Sequence, residues 1–289
     1  QEGESPLARA TDWVNCKCPV CGGPGKRETD TMPQWAGSSW YYLRFCDPHN
    51  DKAFADKKKL EYWMPVDHYN GGMEHVTRHL LYSRFWHQFL YDIKEVNTPE
   101  PYAKRSYQGL ILGPDGEKMS KSKGNVIDPM DIVEQYGADT LRVYVMFMSD
   151  YGAAAPWSDE SLRGCKRFLD RTLNLLDQIQ DKPEIKEIES SLHKTIKKVS
   201  DDIERMKFNT AIAALMSLIN EFTKAEYVTR SDVITFIKLL SPFAPHLCEE
   251  MWEILGENPD GKTFCTLSQW PEYDEEKAKD DVISMGVQV

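Results

Sequence analysis

The chain has 289 residues, a formal net charge of −11 at pH 7, and 41% hydrophobic against 28% charged residues, proportions that are typical of globular proteins and not of disordered ones. Its pI near 5.2 excludes a protein that coats nucleic acid with a generally basic surface, although a local basic patch is compatible with this overall charge. The sequence contains no run of about 18 consecutive apolar residues, which predicts that it has no membrane span.

The cysteines are distributed unevenly along the chain. Three of the seven, Cys16, Cys18 and Cys21, are clustered, and the other four are scattered. An odd number without regular spacing does not indicate a disulfide framework and favours a reducing cytoplasm. Cys18-Pro-Val-Cys21, followed by two glycines, is typical of a zinc-binding turn. Because a structural site needs four ligands and no second C-x2-C is present, we expect a metal-free turn, with zinc at Cys18 and Cys21 as the alternative.

The first half of the chain has the pattern of an α/β layer. Residues 61–72 predict a short strand that ends in the Gly71-Gly72 turn, residues 73–92 a helix, and residues 105–113 a second strand. This order suits a parallel sheet. His75 and His79 lie four residues apart and are expected on one helix face, where they could bind a metal or form the wall of a pocket.

The segment "GPDGEKMSKSKGNV", residues 113–126, places three lysines and two serines in a loop between glycines. Lys118 and Lys121, with Ser120 and Ser122, offer ammonium and hydroxyl donors that could fold over a triphosphate and offset the charge of a leaving pyrophosphate. The segment does not fit the P-loop pattern of GxxxxGK followed by serine or threonine. A solvated surface loop is the alternative.

From about Trp157 onward the pattern is helical. Apolar positions repeat at spacings of three and four, and their first three sets are Leu162, Cys165, Leu169, Leu173, Leu176 and Ile179, then Leu192, Ile196, Val199, Ile203 and Met206, then Ile212, Leu215, Ile219 and Phe222. A fourth helix over residues 232–255 is expected to break around Pro242 and Pro245. The sequence therefore predicts a four-helix bundle.

Four stretches together carry a resemblance to a known family. "KMSKS" at residues 118–122 matches the second signature of the class I aminoacyl-tRNA synthetases. With "ETDTMPQWAGSSWYYLR" (residues 28–44), "GGMEHVTRHLLYSRF" (residues 71–85) and "SPFAPHL" (residues 241–247), it resembles the leucyl-tRNA synthetases of the bacterial type. The resemblance extends over nearly the whole chain.

This resemblance implies the fold class α/β plus all-α. Residues 1–152 would be the second half of a class I nucleotide-binding, Rossmann-like catalytic domain, with the cysteine-rich knuckle and the KMSKS loop. Residues 153–272 would be a helix-bundle tRNA-binding domain of the anticodon-binding type, and residues 273–289 a linker to a C-terminal domain. The first class I signature, the editing domain and the C-terminal domain are not found in the sequence, and the chain begins with Gln1. We therefore interpret it as a segment of a longer synthetase that is inactive by itself.

The resemblance also implies which residues bind the substrates, ATP with Mg²⁺ and leucine. Lys118 and Lys121 would be catalytic, because they stabilise charge on the departing pyrophosphate. The ATP site would comprise Gly71, Gly72, Glu74, Met119, Ser120, Lys121 and Ser122. The leucine site would comprise Trp35, Ser38, Tyr41, Glu74, His75 and His79. Phenylalanine is the more usual residue at the position of Trp35.

The helical half is expected to contact tRNA. Four basic side chains near one face of its first helix could meet tRNA phosphates, namely Arg163, Lys166, Arg167 and Arg171. A solvated basic stripe is the alternative. Because leucine tRNAs have varied anticodons, we expect the bundle to recognise tRNA shape and backbone. The family further implies tRNA(Leu) as partner, a monomeric full-length protein, no membrane association and a cytoplasmic location.

Three other interpretations remain open at this point. The chain could belong to an isoleucyl, valyl or methionyl relative, which share "KMSKSKGNVIDP" and "SPFAPHL". It could be a non-catalytic tRNA- or protein-binding module that retains the loop, or a zinc-dependent nucleic-acid protein. Half of a doubly wound sheet would also expose an apolar edge, which predicts marginal stability or self-association.

Overall fold

The computed structural model describes residues 5–31 and 35–279. The chain forms two compact units, Gln1–Tyr107 and Gln108–Val289. Short helices and strands make up the first unit, and long helices dominate the second, so the predicted class of α/β plus all-α is confirmed. The division between the units falls inside the region assigned to the catalytic half, and the boundary at residue 152 stays a prediction. Residues 32–34 of the family-like segment and residues 280–289 of the proposed linker lie outside the described residues.

The first unit is built from short elements. Its strands are β1 (Asn15–Lys17), β2 (Pro24–Lys26), β3 (Tyr69–Asn70) and β4 (Arg105–Ser106). Its α-helices are α1 (Thr11–Val14), α2 (Tyr41–Phe45), α3 (Lys57–Trp63) and α4 (His79–Asp92), with 3-10 turns at Gly37–Ser39 and Met73–Thr77. β1 and β2 pair antiparallel, and β3 and β4 pair parallel with Tyr69 opposite Arg105.

The strand predicted over residues 61–72 is largely wrong. Residues 61–63 complete α3, a cis Met64–Pro65 bond follows, and only Tyr69–Asn70 forms a strand. Asp56 is the N-cap of α3, and its side chain accepts hydrogen bonds from the backbone N–H groups of Lys58 and Lys59, which strongly favours a helix start. An apolar run as short as "YWMPV" does not distinguish a strand from the end of a helix by periodicity alone.

The helix predicted over residues 73–92 is also corrected at its start. Met73–Thr77 is a 3-10 helix, and α4 begins only at His79. Arg78 interrupts the two with φ −123° and ψ −108°. His75 and His79 therefore do not share the face of one helix, although their rings remain neighbours.

A small hydrophobic core joins α2, α3 and α4, and it consists of Tyr42, Leu43, Ala55, Leu60, Met64, Leu90 and Val96. His87 is fully buried beside this core. Its Nε2 lies 2.9 Å from the carbonyl oxygen of Thr98 and its Nδ1 lies 3.2 Å from the hydroxyl of Tyr42. Since a carbonyl can only accept, Nε2 carries the proton and Nδ1 accepts from the tyrosine. The outer face of α4 exposes Leu81, Phe85 and Phe89, and the predicted self-association stays a prediction.

Asp47 secures the loop between α2 and α3. Its carboxylate lies 2.5 Å from the ammonium of Lys59, accepts the side chain of Asn50 at 2.8 Å and accepts the backbone N–H of Asp56 at 3.1 Å. These hydrogen bonds, first that of Lys59 and then that of Asn50, lower the pKa of Asp47 to about 2.

We expect Asp47→Asn to make the stability of the first unit less dependent on acid pH. A depressed folded-state pKa gives stability that is present above the unfolded value of 3.8 and is lost as pH falls towards 2. The Tm of Asp47→Asn should therefore lie below wild type at pH 6, and this gap should shrink towards pH 2.5. The measurement is thermal unfolding followed by circular dichroism at each pH. Asp51→Asn, at an exposed neighbour, is the matched control, and an equal pH response of both variants would contradict the assignment.

The second unit contains the remaining elements. Its strands are β5 (Ile111–Leu112) and β6 (Ala155–Pro156), which pair parallel. Its α-helices are α5 (Pro129–Tyr136), α6 (Ala138–Phe147), α7 (Asp159–Leu173), α8 (Lys186–Glu204), α9 (Phe208–Lys224), α10 (Arg230–Leu240) and α11 (Pro245–Ile254), with 3-10 turns at Asn174–Gln178 and Cys265–Leu267. The strand predicted over residues 105–113 is thus two strands, β4 in the first unit and β5 in the second. The backbone N–H of Gly109 between them bonds instead to the carbonyl of Tyr151 at 2.8 Å.

The helical bundle confirms most of the predicted apolar faces. All four predicted positions of α9, Ile212, Leu215, Ile219 and Phe222, are buried, and the break before Pro245 separates α10 from α11. Three predicted positions do not belong to a helical face. Leu173 is exposed at the end of α7, Ile179 follows a 3-10 turn, and Met206 has φ +57° beyond the end of α8.

The bundle core begins earlier than the sequence predicted. Ile132 of α5 and Val143 and Tyr144 of α6 belong to the same buried cluster as α7 to α11. Asp139 of α6 accepts the backbone N–H of Leu247 at 2.7 Å and lies 2.8 Å from Nδ1 of His246. Its carboxylate thereby satisfies one of the free N–H groups at the start of α11. α6 is therefore an integral part of the helical unit.

The predicted linker after residue 272 is packed against α8 as far as the described residues extend. Lys277 forms an ion pair with Glu189, and the backbone N–H of Asp274 bonds to Nδ1 of His193 at 3.0 Å. Lys197 lies over the ring of Tyr273. Within residues 5–31 and 35–279, the apolar stretch of every helix is too short to cross a membrane.

Candidate functional site

The lysine-rich loop occupies residues 113–128 between β5 and α5. Its first turn is closed by the backbone N–H of Gly113, which bonds to the carbonyl of Glu117 at 2.8 Å. Leu112 and Lys118 then form an isolated antiparallel bridge. At the other end Asp128 begins α5 by accepting the backbone N–H of Met130 at 2.9 Å. The loop is therefore anchored at both ends.

The three lysines of the loop differ in their surroundings. Lys123 forms an ion pair with Glu117 at 3.2 Å. Lys118 and Lys121 are exposed, and within the described part of the chain neither takes part in an ion pair. Two cations that the described residues do not neutralise remain available for an external anion.

The side chains between the lysines have defined partners. The hydroxyl oxygens of Ser120 and Ser122 lie 2.8 Å apart. Met119 is half-buried and packs against the bundle core, so it fixes the loop to the helical unit. The contact of Met119 with adenine that the family implies stays a prediction.

Five rings of the first unit form an aromatic and histidine cluster. Trp35 meets His75 edge-on with ring centroids 5.7 Å apart, and the rings of His75 and His79 lie 6.0 Å apart. The ring centroids of Tyr41 and Tyr69 lie 5.8 and 5.6 Å from that of His79. The hydroxyl of Ser38 donates to the carbonyl of Trp35 at 2.9 Å. The structure thus brings together five of the residues predicted for leucine binding, Trp35, Ser38, Tyr41, His75 and His79.

Tyr69 also belongs to this cluster, although no motif in the sequence indicated it. It lies in β3 directly before Asn70-Gly71-Gly72, at the carboxyl end of a parallel strand, where ligand-binding residues of α/β folds are found. Its place just before the Gly71-Gly72 turn could have identified Tyr69 from the sequence. Tyr41 and Tyr69 also line a cavity of about 620 Å³ within the same unit, with Phe45, Trp63 and Met64 among its other walls.

The two histidines of the cluster hold polar atoms that the described residues leave unsatisfied. Both ring nitrogens of His79 and Nδ1 of His75 are buried without a hydrogen-bond partner there. Burial, and next the neighbouring His75, lower the pKa of His79, and the approach of the Ser38 backbone, which is not a hydrogen bond of normal geometry, opposes them only in part, so its imidazole is neutral at pH 7. A buried polar atom without a partner calls for an explanation, and a polar ligand group is one. In the described residues no cluster of three or more histidine, cysteine or acidic side chains is arranged to hold a metal ion.

Glu74 folds back over the glycine turn. Gly72 precedes the Met73–Thr77 turn, and a β-carbon added at Gly72 would overlap the carboxylate of Glu74. The backbone N–H of Gly71 bonds to the carbonyl of Ser106 at 3.3 Å, which ties the turn to β4. The absence of a side chain at Gly72 is thus what allows Glu74 to approach the backbone this closely.

The cysteine knuckle is a tight turn between β1 and β2. The backbone N–H of Cys18 bonds to the carbonyl of Gly23 at 2.8 Å. The backbone N–H groups of Cys21 and then Val20 lower the pKa of the Cys18 thiol, as expected for a thiol that faces the donors of a turn. Cys18 and Cys21 are therefore adjacent, but the described residues supply no further set of ligands around them.

The four basic residues of α7 have different partners. Lys166 pairs with Asp170. Arg171 reaches α9, where it donates to the side chains of Asn220 at 2.8 Å and Thr223 at 3.0 Å. Arg163 and Arg167 are exposed. Two of the predicted tRNA contacts are thus already engaged within the protein.

Two known families match successive parts of the chain. Residues 22–158 match the family described as tRNA synthetases class I (I, L, M and V), and residues 186–288 match the anticodon-binding domain of tRNA ligase. A leucine–tRNA ligase from Alkaliphilus oremlandii is 56% identical over 288 residues, which is 99% of this chain and 35% of the relative. The chain therefore spans about a third of the length of that relative.

Two solved structures of tRNA synthetases also match the chain. A ternary LeuRS–tRNA–LeuAMS complex from Agrobacterium radiobacter matches with a TM-score of 0.80 and 36% identity, over 96% of this chain and 38% of that one. A Mycobacterium tuberculosis methionyl-tRNA synthetase in complex with methionyl-adenylate matches with a TM-score of 0.59 and 19% identity, over 79% of this chain and 51% of that one. At that identity the second match shows a shared fold alone.

Proposed function

This chain belongs to the class I tRNA synthetases through residues 22–158 and carries an anticodon-binding domain in residues 186–288, and from that premise we propose that it is part of a leucine–tRNA ligase. The full-length protein activates leucine with ATP and transfers it to tRNA(Leu). The 56% identity to a leucine–tRNA ligase over nearly the whole chain supports leucine over isoleucine, valine or methionine. The 289 residues alone do not carry out the reaction in this proposal.

The first step is attack of a leucine carboxylate oxygen on the α-phosphorus of ATP. A phosphorus–oxygen bond to leucine forms, the bond to the bridging oxygen breaks, and pyrophosphate leaves with the electron pair. Magnesium enters with ATP as part of the substrate. Lys118 and Lys121 offset the negative charge that develops on the pyrophosphate, and Ser120 and Ser122 add hydroxyl donors. Such catalysis depends on positioning and electrostatics, so no nucleophilic side chain is required.

The aromatic and histidine cluster is proposed to bind leucine and the glycine turn to bind the nucleotide. Trp35 and Tyr41 contribute apolar surface, and His75 and His79 offer ring nitrogens to polar groups of the ligand. Gly71, Gly72 and Glu74 would lie against the adenosine and the substrate amine. An apolar pocket separates aliphatic amino acids that differ by one methylene by only about 1–3 kcal/mol, so selectivity for leucine by this cluster alone would be modest.

The helical unit is proposed to hold tRNA(Leu) by its phosphates. Arg163 and Arg167 are the accessible basic side chains of the set predicted on α7, whereas Lys166 and Arg171 bond within the protein. We also propose that the full-length protein is a monomer in the cytoplasm, and the unevenly spaced cysteines of the 289 residues suit a reducing compartment.

The observation that carries the proposal is the KMSKS loop, whose Lys118 and Lys121 are exposed and outside any ion pair within the described residues. The test is leucine-dependent exchange of pyrophosphate into ATP by the full-length gene product, with isoleucine, valine and methionine as competing substrates. Exchange that is fastest with leucine is the expected result. Faster exchange with another amino acid would assign the protein to that relative, and no exchange with any of them would favour a non-catalytic binding module.

A further inference from the structure

Asn125 is the residue around which the lysine loop folds. Its side-chain nitrogen donates to both carboxylate oxygens of Asp115, at 3.2 and 3.1 Å, and lies 3.4 Å from the carbonyl oxygen of Lys118. Its side-chain oxygen accepts the backbone N–H of Ser120 at 2.9 Å. One amide side chain thus connects the turn before the lysines, the carbonyl of Lys118 and the backbone between Lys118 and Lys121.

The partner carboxylate is itself fixed in place. Asp115 accepts the backbone N–H of Glu117 at 3.0 Å. That N–H, and next the amide of Asn125, lower the pKa of Asp115, so the carboxylate is ionised at neutral pH and its hydrogen bonds are charge-assisted. A β-carbon at Gly113 would lie 2.6 Å from Asp115 Oδ1 and 2.9 Å from Asn125 Nδ2. Glycine at position 113 thus leaves room for the contact between Asp115 and Asn125 as the structure has it.

We propose that Asn125 is a positioning residue, whose amide holds the loop so that Lys118 and Lys121 meet the phosphates of ATP in one arrangement. This inference rests on the proposed function, because the placement of the lysines matters only if they bind a nucleotide. Both lysine side chains are exposed, so their position is set by the backbone of the loop and not by packing around them. A small displacement of charged groups at a reaction centre lowers the rate strongly.

The test is Asn125→Ala in the full-length gene product. We expect kcat/KM for ATP in leucine-dependent pyrophosphate exchange to fall by about 10- to 100-fold, because the loop loses its connection between Asp115 and Ser120. The KM for leucine and the Tm should stay at wild-type values, since Asn125 lies outside the hydrophobic core. Asn174→Ala, at an exposed position of the same unit, is the matched control and should behave as wild type.

Exchanging the carboxylate and the amide between positions 115 and 125 tests whether Asn125 positions the loop or only stabilises the fold. Asn125→Asp alone places a second carboxylate against Asp115, and one of the two then binds a proton more readily. Its activity should be low at pH 8 and rise relative to Asn125→Ala towards pH 6. The double variant Asp115→Asn with Asn125→Asp restores the hydrogen bond between positions 115 and 125 with donor and acceptor exchanged, although a carboxylate at 125 cannot donate to the carbonyl of Lys118. Its activity should therefore exceed that of either single variant without reaching wild type. Glu117 and Lys123, the charged neighbours of the pair, are the same in all variants.

Each outcome bears on the proposal. Recovery in the double variant with an unchanged Tm supports it. Wild-type exchange by Asn125→Ala would overturn it, and so would a raised KM for leucine together with a lower Tm. In both cases leucine-dependent exchange by the wild-type protein would leave the proposed function intact. An inactive wild-type protein would overturn both.

Discussion

Replacing Lys121 with alanine in the full-length gene product is expected to lower leucine-dependent pyrophosphate exchange by about 10²- to 10³-fold, the usual effect of removing one preorganised donor from a developing charge. The ammonium is exposed and outside any ion pair within the described residues. Its interaction becomes stronger as charge builds on the leaving pyrophosphate. Loss of an interaction of that kind lowers kcat more than it raises the KM for ATP, and steady-state kinetics at varied ATP concentration measures both.

Lys123→Ala provides the matched control on the same loop. Lys123 pairs with Glu117 at 3.2 Å, and more than half of each side chain is exposed. Exposed ion pairs contribute about 0–1 kcal/mol, so we expect Lys123→Ala to reduce exchange by no more than about threefold. Equal losses from the two variants would show that the loop responds to total charge and that Lys121 has no special position. An unaffected Lys121→Ala enzyme would remove the chemical basis of the proposed function.

The helical unit was the more predictable part of the fold. A face such as Ile212, Leu215, Ile219 and Phe222 repeats over three turns, so its period is well defined, and all four residues are buried. The first unit depends on strands of two residues, such as Tyr69–Asn70. A strand that short carries no period of its own, because tertiary pairing with β4 and not local sequence creates it.

For the candidate site, the sequence motif indicated which residues to consider, whereas their partners in the fold could not be predicted. The loop sequence indicated Lys118 and Lys121, but it gave no sign that Lys123 is paired while they are not. Spacing along α7 grouped Arg171 with Arg167, yet contacts with α9 engage Arg171 within the protein. Tyr69 was missed because its place in the cluster depends on which rings the fold brings beside His79.

Replacing Leu215 with alanine is expected to destabilise the second unit by about 2–5 kcal/mol, the range measured for buried leucines. Leu215 has no exposed surface and lies in α9 within the core of the helical unit. The substitution removes buried methyl groups and leaves a cavity. The surrounding helices close this cavity only in part, because many other contacts hold them in place. Urea unfolding of this chain followed by circular dichroism measures the change, as a lower midpoint with the same slope.

Leu267→Ala separates this packing effect from the chemistry of the substitution. It makes the same change at a leucine that is 79% exposed in the same unit, where surface substitutions usually alter stability by less than about 0.5 kcal/mol. A difference of at least about 2 kcal/mol between the two variants is therefore the expected result. Equal midpoints would mean that α9 is not packed as the structure has it. In that case the link from the lysine loop through α5 and α6 to helices α7 to α11 would lose its rigid support, since all of these helices share one core.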